Sequence, residues 1–151
     1  MAAGIKIEQE KIDLFAETLE KFARQNTTDS FTAAVLNIDA NAAIGEFNTA
    51  VIKELQMLEP FGQGNPQPLF ATKAVRLCSP PRKCGANSDH LQLAVTDNKK
   101  SIRCVGFRFA HYEKRLLEHD CFHIAYHPQI NTYNGSSSVE FILTDIQFEE
   151  D

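Results

Sequence analysis

The chain has 151 residues, 43% of them hydrophobic, and a formal net charge of -5. This composition supports one full core, or one domain with a fragment of another, and holds no apolar run long enough to span a membrane. The four cysteines (Cys78, Cys84, Cys104, Cys121) show no CxxC pairing and fit a reducing, cytoplasmic compartment, while Met1-Ala2-Ala3-Gly4 lacks the charged-then-apolar opening of a signal peptide.

In chain order, Ile5-Lys6-Ile7 alternates and reads as a short strand. Ile12, Phe15, Leu19, Phe22 and Ala23 fall at three- and four-residue spacing, which predicts a helix from about Glu8 to Gln25. The polar run Asn26-Thr27-Thr28-Asp29-Ser30 stops it, and Phe31 to Asp39, rich in β-formers, reads as a strand. Phe47, Val51, Leu55 and Leu58 make a second helical stripe, ended by Pro60. Two glycines and two prolines punctuate Phe61-Gly62-Gln63-Gly64-Asn65-Pro66-Gln67-Pro68, and the domain boundary is expected there, dividing the chain into 1–60 and 61–151.

Beyond that segment the hydrophobic period becomes two. Strands are predicted at Leu69 to Leu77, His90 to Thr96, Ser101 to Phe109, Cys121 to Pro128 and Val139 to Phe148. Ser79 to Gly85 reads as a loop, Asp97 to Lys100 as a hairpin turn, and Asn134-Gly135 as a second turn. His111 to Glu118 reads as a short helix between the third and fourth strands. Five strands with one helix at that place is the layout of the OB fold, a small Greek-key barrel. The expected fold is therefore an α+β fragment followed by an all-β, five-stranded OB barrel with one short helix.

Several motifs dissolve on inspection. Gly62-Gln63-Gly64 follows a helix and precedes prolines, so it is no phosphate cradle; its glycines are expected to supply unusual backbone angles and its prolines stiffness. His119, His123 and His127 recur every fourth residue, but on a strand only His123 and His127 share a face, too far apart to chelate one ion. Cys78, Cys84 and His90 match no common zinc spacing, and Cys104 reads as a small core residue. No cluster of carboxylates and histidines offers a two-metal nuclease site.

Charge is the sharper signal. From Lys73 to Arg115 ten Lys and Arg face only Asp89, Asp97 and Glu113, an excess of +7, which leaves -12 for the remainder. Lys73, Arg76, Arg103 and Arg108 interleave with Phe70, Phe107 and Phe109. Single-stranded nucleic acid is held by cationic grooves and aromatic faces, and in an OB fold the usual surface is strands two and three. Lys73, Arg76, Arg82, Lys83, Lys99, Lys100, Arg103 and Arg108 are the candidate contacts, centred on Arg103. The phenylalanines are read as barrel core, since no tyrosine or tryptophan lies on those two strands. Phosphate neutralisation of this kind predicts no base preference.

The segment Leu58-Glu59-Pro60-Phe61-Gly62-Gln63-Gly64-Asn65-Pro66-Gln67-Pro68-Leu69-Phe70 resembles the junction between the DHH-associated (DHHA1) domain and the OB domain in RecJ-like single-stranded-DNA exonucleases. Its most specific residues are Pro60, Phe61, Gly62, Gly64, Asn65 and Pro66. Met1-Ala2-Ala3-Gly4 is similar to the end of that associated domain's GGHxMAAG-type motif. His90-Leu91-Gln92-Leu93, Val105-Gly106-Phe107 and Pro128 to Gly135 leading to Thr144-Asp145-Ile146 extend the likeness over nearly the whole chain.

The resemblance implies that residues 1–60 are the remnant of the associated domain with a connecting helix, and that 61–151 are the OB domain. It implies the C-terminal, single-stranded-DNA-binding portion of a 5'-to-3' exonuclease, beginning just after the family's last catalytic motif and lacking the DHH metal ligands. No catalytic residue, metal or cofactor is then expected in this chain, whereas the parent enzyme would use manganese or magnesium. The implied partners are single-stranded DNA, the rest of the exonuclease core and a single-strand-binding protein. The alternative is a protein-interaction or docking module of the same enzyme.

Overall fold

The computed structural model describes residues 4–26, 35–133 and 135–149. The chain divides into two compact units between Leu36 and Asn37. Among the described residues no helix is long and apolar enough to cross a membrane.

The first unit carries a 3-10 turn, Gln9–Lys11, running into helix α1, Ile12–Asn26. Its apolar residues gather on one face as their spacing requires, yet none is buried: Ile12, Leu14, Phe15, Leu19 and Phe22 are all exposed. Ile5-Lys6-Ile7, expected as a strand, has no regular structure, and among the described residues no strand pairs with it. A helix of this length is marginal without a packed face. Hydrogen exchange is accordingly expected to be faster at the Phe15 and Leu19 amides than at Leu93, which lies buried in a strand. Equal protection in a proven monomer would show that the α1 face is already covered.

The second unit begins with a difference from the sequence. Of the strand expected at Phe31 to Asp39, residues 31–34 lie outside the described residues and 35–39 are not strand. The strand is instead β1, Ala40–Asn41, parallel to Phe70 and Ala71. β-Propensity without a partner does not make a strand; among residues 35–41 pairing starts where Asp39 reaches Leu69, through both its backbone N–H (2.9 Å) and its carboxylate (2.8 Å). A 3-10 turn, Ile44–Glu46, follows, and then helix α2, Thr49–Gln56, whose Asn48 cap accepts the N–H groups of Ala50 and Val51.

The remaining strands are β2 Phe70–Leu77, β3 Arg82–Cys84, β4 His90–Thr96, β5 Ser101–Gly106, β6 Phe122–Tyr133 and β7 Ser136–Phe148. Helix α3, Glu113–Glu118, lies between β5 and β6. All seven strands form one sheet in the order β1-β2-β6-β7-β5-β4-β3, and the end of β2 also pairs with β4. Five strands therefore pair in a cycle, β2-β6-β7-β5-β4, with β1 and β3 attached at its margins. β3 lies in the stretch expected to be a loop. Pro80 and Pro81 break the chain just before it, but Arg82, Lys83 and Cys84 pair with Gln92, Leu91 and His90.

Strict alternation places Leu91, Leu93 and Val95 of β4 inward, with His90, Gln92, Ala94 and Thr96 outward. The inward residues join Cys104, Phe122, Ile124, Tyr126, Phe141, Leu143 and Ile146 in one core. Ile44 and Phe47 belong to that same core. Hence the Gly/Pro segment does not divide the packing, because apolar residues upstream of it fill the space beneath the strands. The segment is a turn within the second unit. The backbones of Gly62 and Asn65 bond each other, and the Asn65 amide donates to the carbonyls of Leu58 (2.7 Å) and Pro60 (3.1 Å). Neither Gly62 nor Gly64 has a positive φ, so the expectation of unusual backbone angles there fails; Asn65 closes the turn with its side chain instead.

Candidate nucleic-acid interface

Register and alternation decide which side chains share the outer face of the sheet. Arg82 stands opposite Gln92, which stands opposite Val105, which stands beside Ile142. One step along, Ala94, Arg103, Glu140 and Gln129 form the next row across β4, β5, β7 and β6. Arg82 and Arg103 are thus on one face, two strands apart, or roughly 10 Å across the sheet.

The other expected contacts scatter around this face. Lys99 and Lys100 occupy the tip between β4 and β5, exposed, with their backbone N–H groups on Asp97 Oδ1 (3.0 and 2.8 Å). Asp97 also accepts the Ile44 N–H at 3.1 Å, tying the tip to the 3-10 turn. Burial works against the Asp97 charge, but the N–H groups of Lys100, Lys99 and Ile44 prevail and hold its carboxyl below the usual range. Arg76 pairs with Thr96 near the tip and lines an open cleft of about 560 Å³ with Leu116, His119 and Asp120. Lys73 is exposed on β2 beside a bulge, where Ala74 takes a positive φ and donates its N–H to His123 Nδ1 at 2.9 Å. Arg108 follows β5 at a φ of 64°.

Two of the eight cations are already paired. Lys83 lies on the opposite side from Arg82 and meets Glu113 of α3 at 2.6 Å. Arg103, the expected centre, has its Nε 4.0 Å from a Glu140 oxygen. Glu140 is the residue that sequence reasoning missed. Its side chain is 8% exposed, and it accepts from Gln129 Nε2 (2.8 Å) and Asn131 Nδ2 (3.1 Å). A signal for it exists in the sequence: the Asn134-Gly135 turn pairs Tyr133 with Ser136, and counting back from there sets Gln129 opposite Glu140. Asn134 itself lies outside the described residues, but Gly135 has a φ of 77°, as such a turn requires.

The aromatic residues divide differently from the expectation of a uniform core. Phe70 and Phe109 are partly buried against the core, but Phe107 is 55% exposed and meets His90 edge-on at 5.2 Å. β5 ends at Gly106, so Phe107 keeps the outward direction of Arg103 and Val105, and the left-handed Arg108 turns Phe109 back inward. Gly106 permits this return: a Cβ there would sit 2.5 Å from Phe109 Cγ. Tyr133, two residues beyond Asn131 on the same side of β6, is 74% exposed.

Among the described residues no three His, Cys, Asp or Glu side chains gather to hold a metal. His123 and His127 do share the outward side of β6, each with its own partner: His123 Nε2 meets Glu149 at 3.3 Å and His127 Nδ1 meets the Pro68 carbonyl at 2.7 Å. Cys104 is fully buried as a small core residue, and desolvation pushes its thiol far above the usual range, which leaves it chemically inert. Burial likewise raises the Tyr126 hydroxyl, which bonds Thr72 Oγ1 at 2.9 Å. Burial, and then the charge of Asp145, raise Tyr112, whose hydroxyl donates to Asp145 at 3.3 Å.

Residues 38–145 match the family model of the RecJ OB domain. Over 150 residues the chain is 25% identical to the single-stranded-DNA-specific exonuclease RecJ of Bacillus subtilis (strain 168), an alignment covering 99% of this chain and 19% of that protein. RecJ from Thermus thermophilus, solved in complex with Mn2+, superposes with a TM-score of 0.68 at 20% identity over 98% of this chain and 21% of that one. The Mg2+ complex of the same protein gives a TM-score of 0.66 at 21% identity over 96% and 21%. The chain therefore spans about a fifth of the length of these relatives.

Proposed function

The chain belongs to the RecJ OB domain family, and from that premise we propose that it is the single-stranded-DNA-binding portion of a RecJ-like 5'-to-3' exonuclease. The family match carries this reading, and the outer face of β3, β4 and β5, on which Arg82 of β3 and Arg103 of β5 stand, supports it, since OB folds take their ligands on such a face. The cyclic pairing of five strands is read as the OB barrel. The residues before Asn37 are read as the end of the DHH-associated domain, and the bare apolar face of α1 as the surface that the rest of that domain covers. The four free cysteines suit a reducing, cytoplasmic setting.

In this reading the domain grips the strand outside the active site and aids processivity. A divalent ion held elsewhere in the parent enzyme would supply the activated water. The purified chain, given an oligonucleotide with Mn2+ or Mg2+, is expected to release no nucleotide above a buffer control. Metal-dependent release abolished by a point change within this chain would refute that assignment of roles. The binding itself is tested by titrating a fluorescein-labelled single-stranded oligonucleotide at low salt. Saturable binding is expected. Its absence would favour the protein-interaction module, a reading that the net charge of -5 supports.

A further inference from the structure

We propose that Gln129, Asn131 and Tyr133 form a base-reading site, that it takes an unstacked nucleobase bearing an exocyclic amino group, and that Glu140 is its positioning residue. The proposal rests on the single-strand reading above and deepens it. Sequence charge alone predicts binding without base preference; the polar network on β6 and β7 points elsewhere.

Glu140 is nearly buried on a face whose neighbours are largely open, with 6% residue exposure. A carboxylate in that position is costly unless its lone pairs are used. Gln129 Nε2 and Asn131 Nδ2 use them, at 2.8 and 3.1 Å. A carboxylate only accepts, so each carboxamide must turn its NH2 toward Glu140. Each NH2 spends one of its two N–H groups on Glu140, so Gln129 Oε1 and Asn131 Oδ1 are left as acceptors, each with one further N–H, held in fixed orientation before anything binds.

Charge argues against a phosphate at this spot. Arg103 and Glu140 offset one another at 4.0 Å, and a phosphate placed over the amides would meet acceptors backed by a negative charge. A base edge with N–H groups meets no such opposition. Tyr133 supplies the remaining element. It stands on the same side of β6 two positions past Asn131, about 7 Å along the strand, with 74% of its surface open for a base to stack on. Paired acceptors select donors. The cytosine N4 and adenine N6 amino groups offer two N–H donors each, whereas thymine presents O4 at the equivalent position and a single N3–H beside it, so amino-bearing bases are favoured.

The test is a titration of the full chain with labelled dC and dT 15-mers at one fixed low salt concentration. Both are pyrimidine strands, so the comparison isolates the amino group from ring size. The dC strand is expected to bind about fivefold more tightly, as one gained hydrogen bond implies. Asn131→Ala and Gln129→Ala should each lower the dC/dT affinity ratio toward one. Tyr133→Ala should weaken both strands equally. Glu140→Gln lets the amides flip and releases the Arg103 charge, so the dC/dT ratio should fall to one while the log-log salt slope steepens by about 0.7. A purely structural Glu140 would instead weaken both strands with no change in ratio. Equal wild-type binding of dC and dT would sink this proposal and leave the single-strand reading standing. Absence of binding to either strand would overturn that reading and this proposal with it.

Discussion

Phe47→Ala is expected to destabilise the strand unit by about 3–5 kcal/mol, among the largest losses any single truncation in this chain would cause. Phe47 is 4% exposed and precedes the α2 cap, so its ring does not lie on the helix but drops beneath it into the sheet. There it meets three rings edge-on: Phe70 at 5.0 Å, Phe141 at 5.3 Å and Tyr126 at 5.7 Å. Tyr126 and Phe141 stack on each other at 3.8 Å with planes 7° apart. Removing the central ring loses its transfer energy, leaves a cavity bounded by rigid neighbours, and deletes three aromatic pairs. Tyr126 is further fixed by Thr72, whose hydroxyl donates to the Ala42 carbonyl at 2.7 Å, so the cluster cannot easily collapse into the gap. The measurement is urea denaturation. A lowered midpoint with an unchanged slope is the expected signature. A loss below about 1 kcal/mol would mean that residues 37–60 are an appendage and not part of the core. Phe107→Ala supplies the contrast: its ring is 55% exposed, and a shift within about 0.5 kcal/mol is expected.

That contrast shows where the sequence was legible. Leu91, Leu93 and Val95 announce β4 because both faces of the strand obey one period, and the gap between β5 and β6 announces α3. Phe47 was readable as apolar but not as part of the core beneath the strands. A stripe reports that a face will be buried, not which surface will bury it, and the Gly/Pro run downstream made a boundary look natural. β3 escaped because three residues after two prolines carry no period; only the register with β4 makes them a strand. Phe107 and Phe109 differ by a single left-handed residue, Arg108, which propensity does not forecast.

The candidate site was legible as charge and illegible as geometry. Counting Lys and Arg finds the basic stretch, but a count is blind to which cations already have partners. Arg103 and Lys83 contribute to the +7 excess while facing Glu140 and Glu113. Glu140 lies outside the basic stretch altogether, and only the parallel pairing of β5 with β7 brings it beside Arg103, while the β6–β7 hairpin sets it opposite Gln129. The same hairpin delivers Tyr133, an exposed ring on β6, outside the two strands that an OB fold usually offers its ligand.

These pairings fix the expected response to salt, which is large. Among the described residues Lys73, Arg76, Arg82, Lys99, Lys100 and Arg108 have no carboxylate within ion-pair distance, whereas Lys83 and Arg103 do. If about four of the six unpaired cations touch phosphates, each adds about 0.7 to the log-log slope for a single strand, for a total of about 3. Affinity for an oligonucleotide is then expected to fall about 50-fold between about 50 and 200 mM salt. Lys99 and Lys100 share one exposed tip, so the double change to alanine removes two contacts and should flatten the slope by about 1.4. Arg103→Ala should weaken binding yet leave the slope nearly unchanged, because that charge is already matched by Glu140. Lys83→Ala should do neither, since Glu113 holds it on the other side of β3. Fluorescence titrations of the four proteins at several salt concentrations measure all of this at once. A slope near zero, or a double variant indistinguishable from the parent, would mean that apolar contacts and not phosphates hold the ligand, and would turn the domain from a strand-gripping module into a protein-docking one.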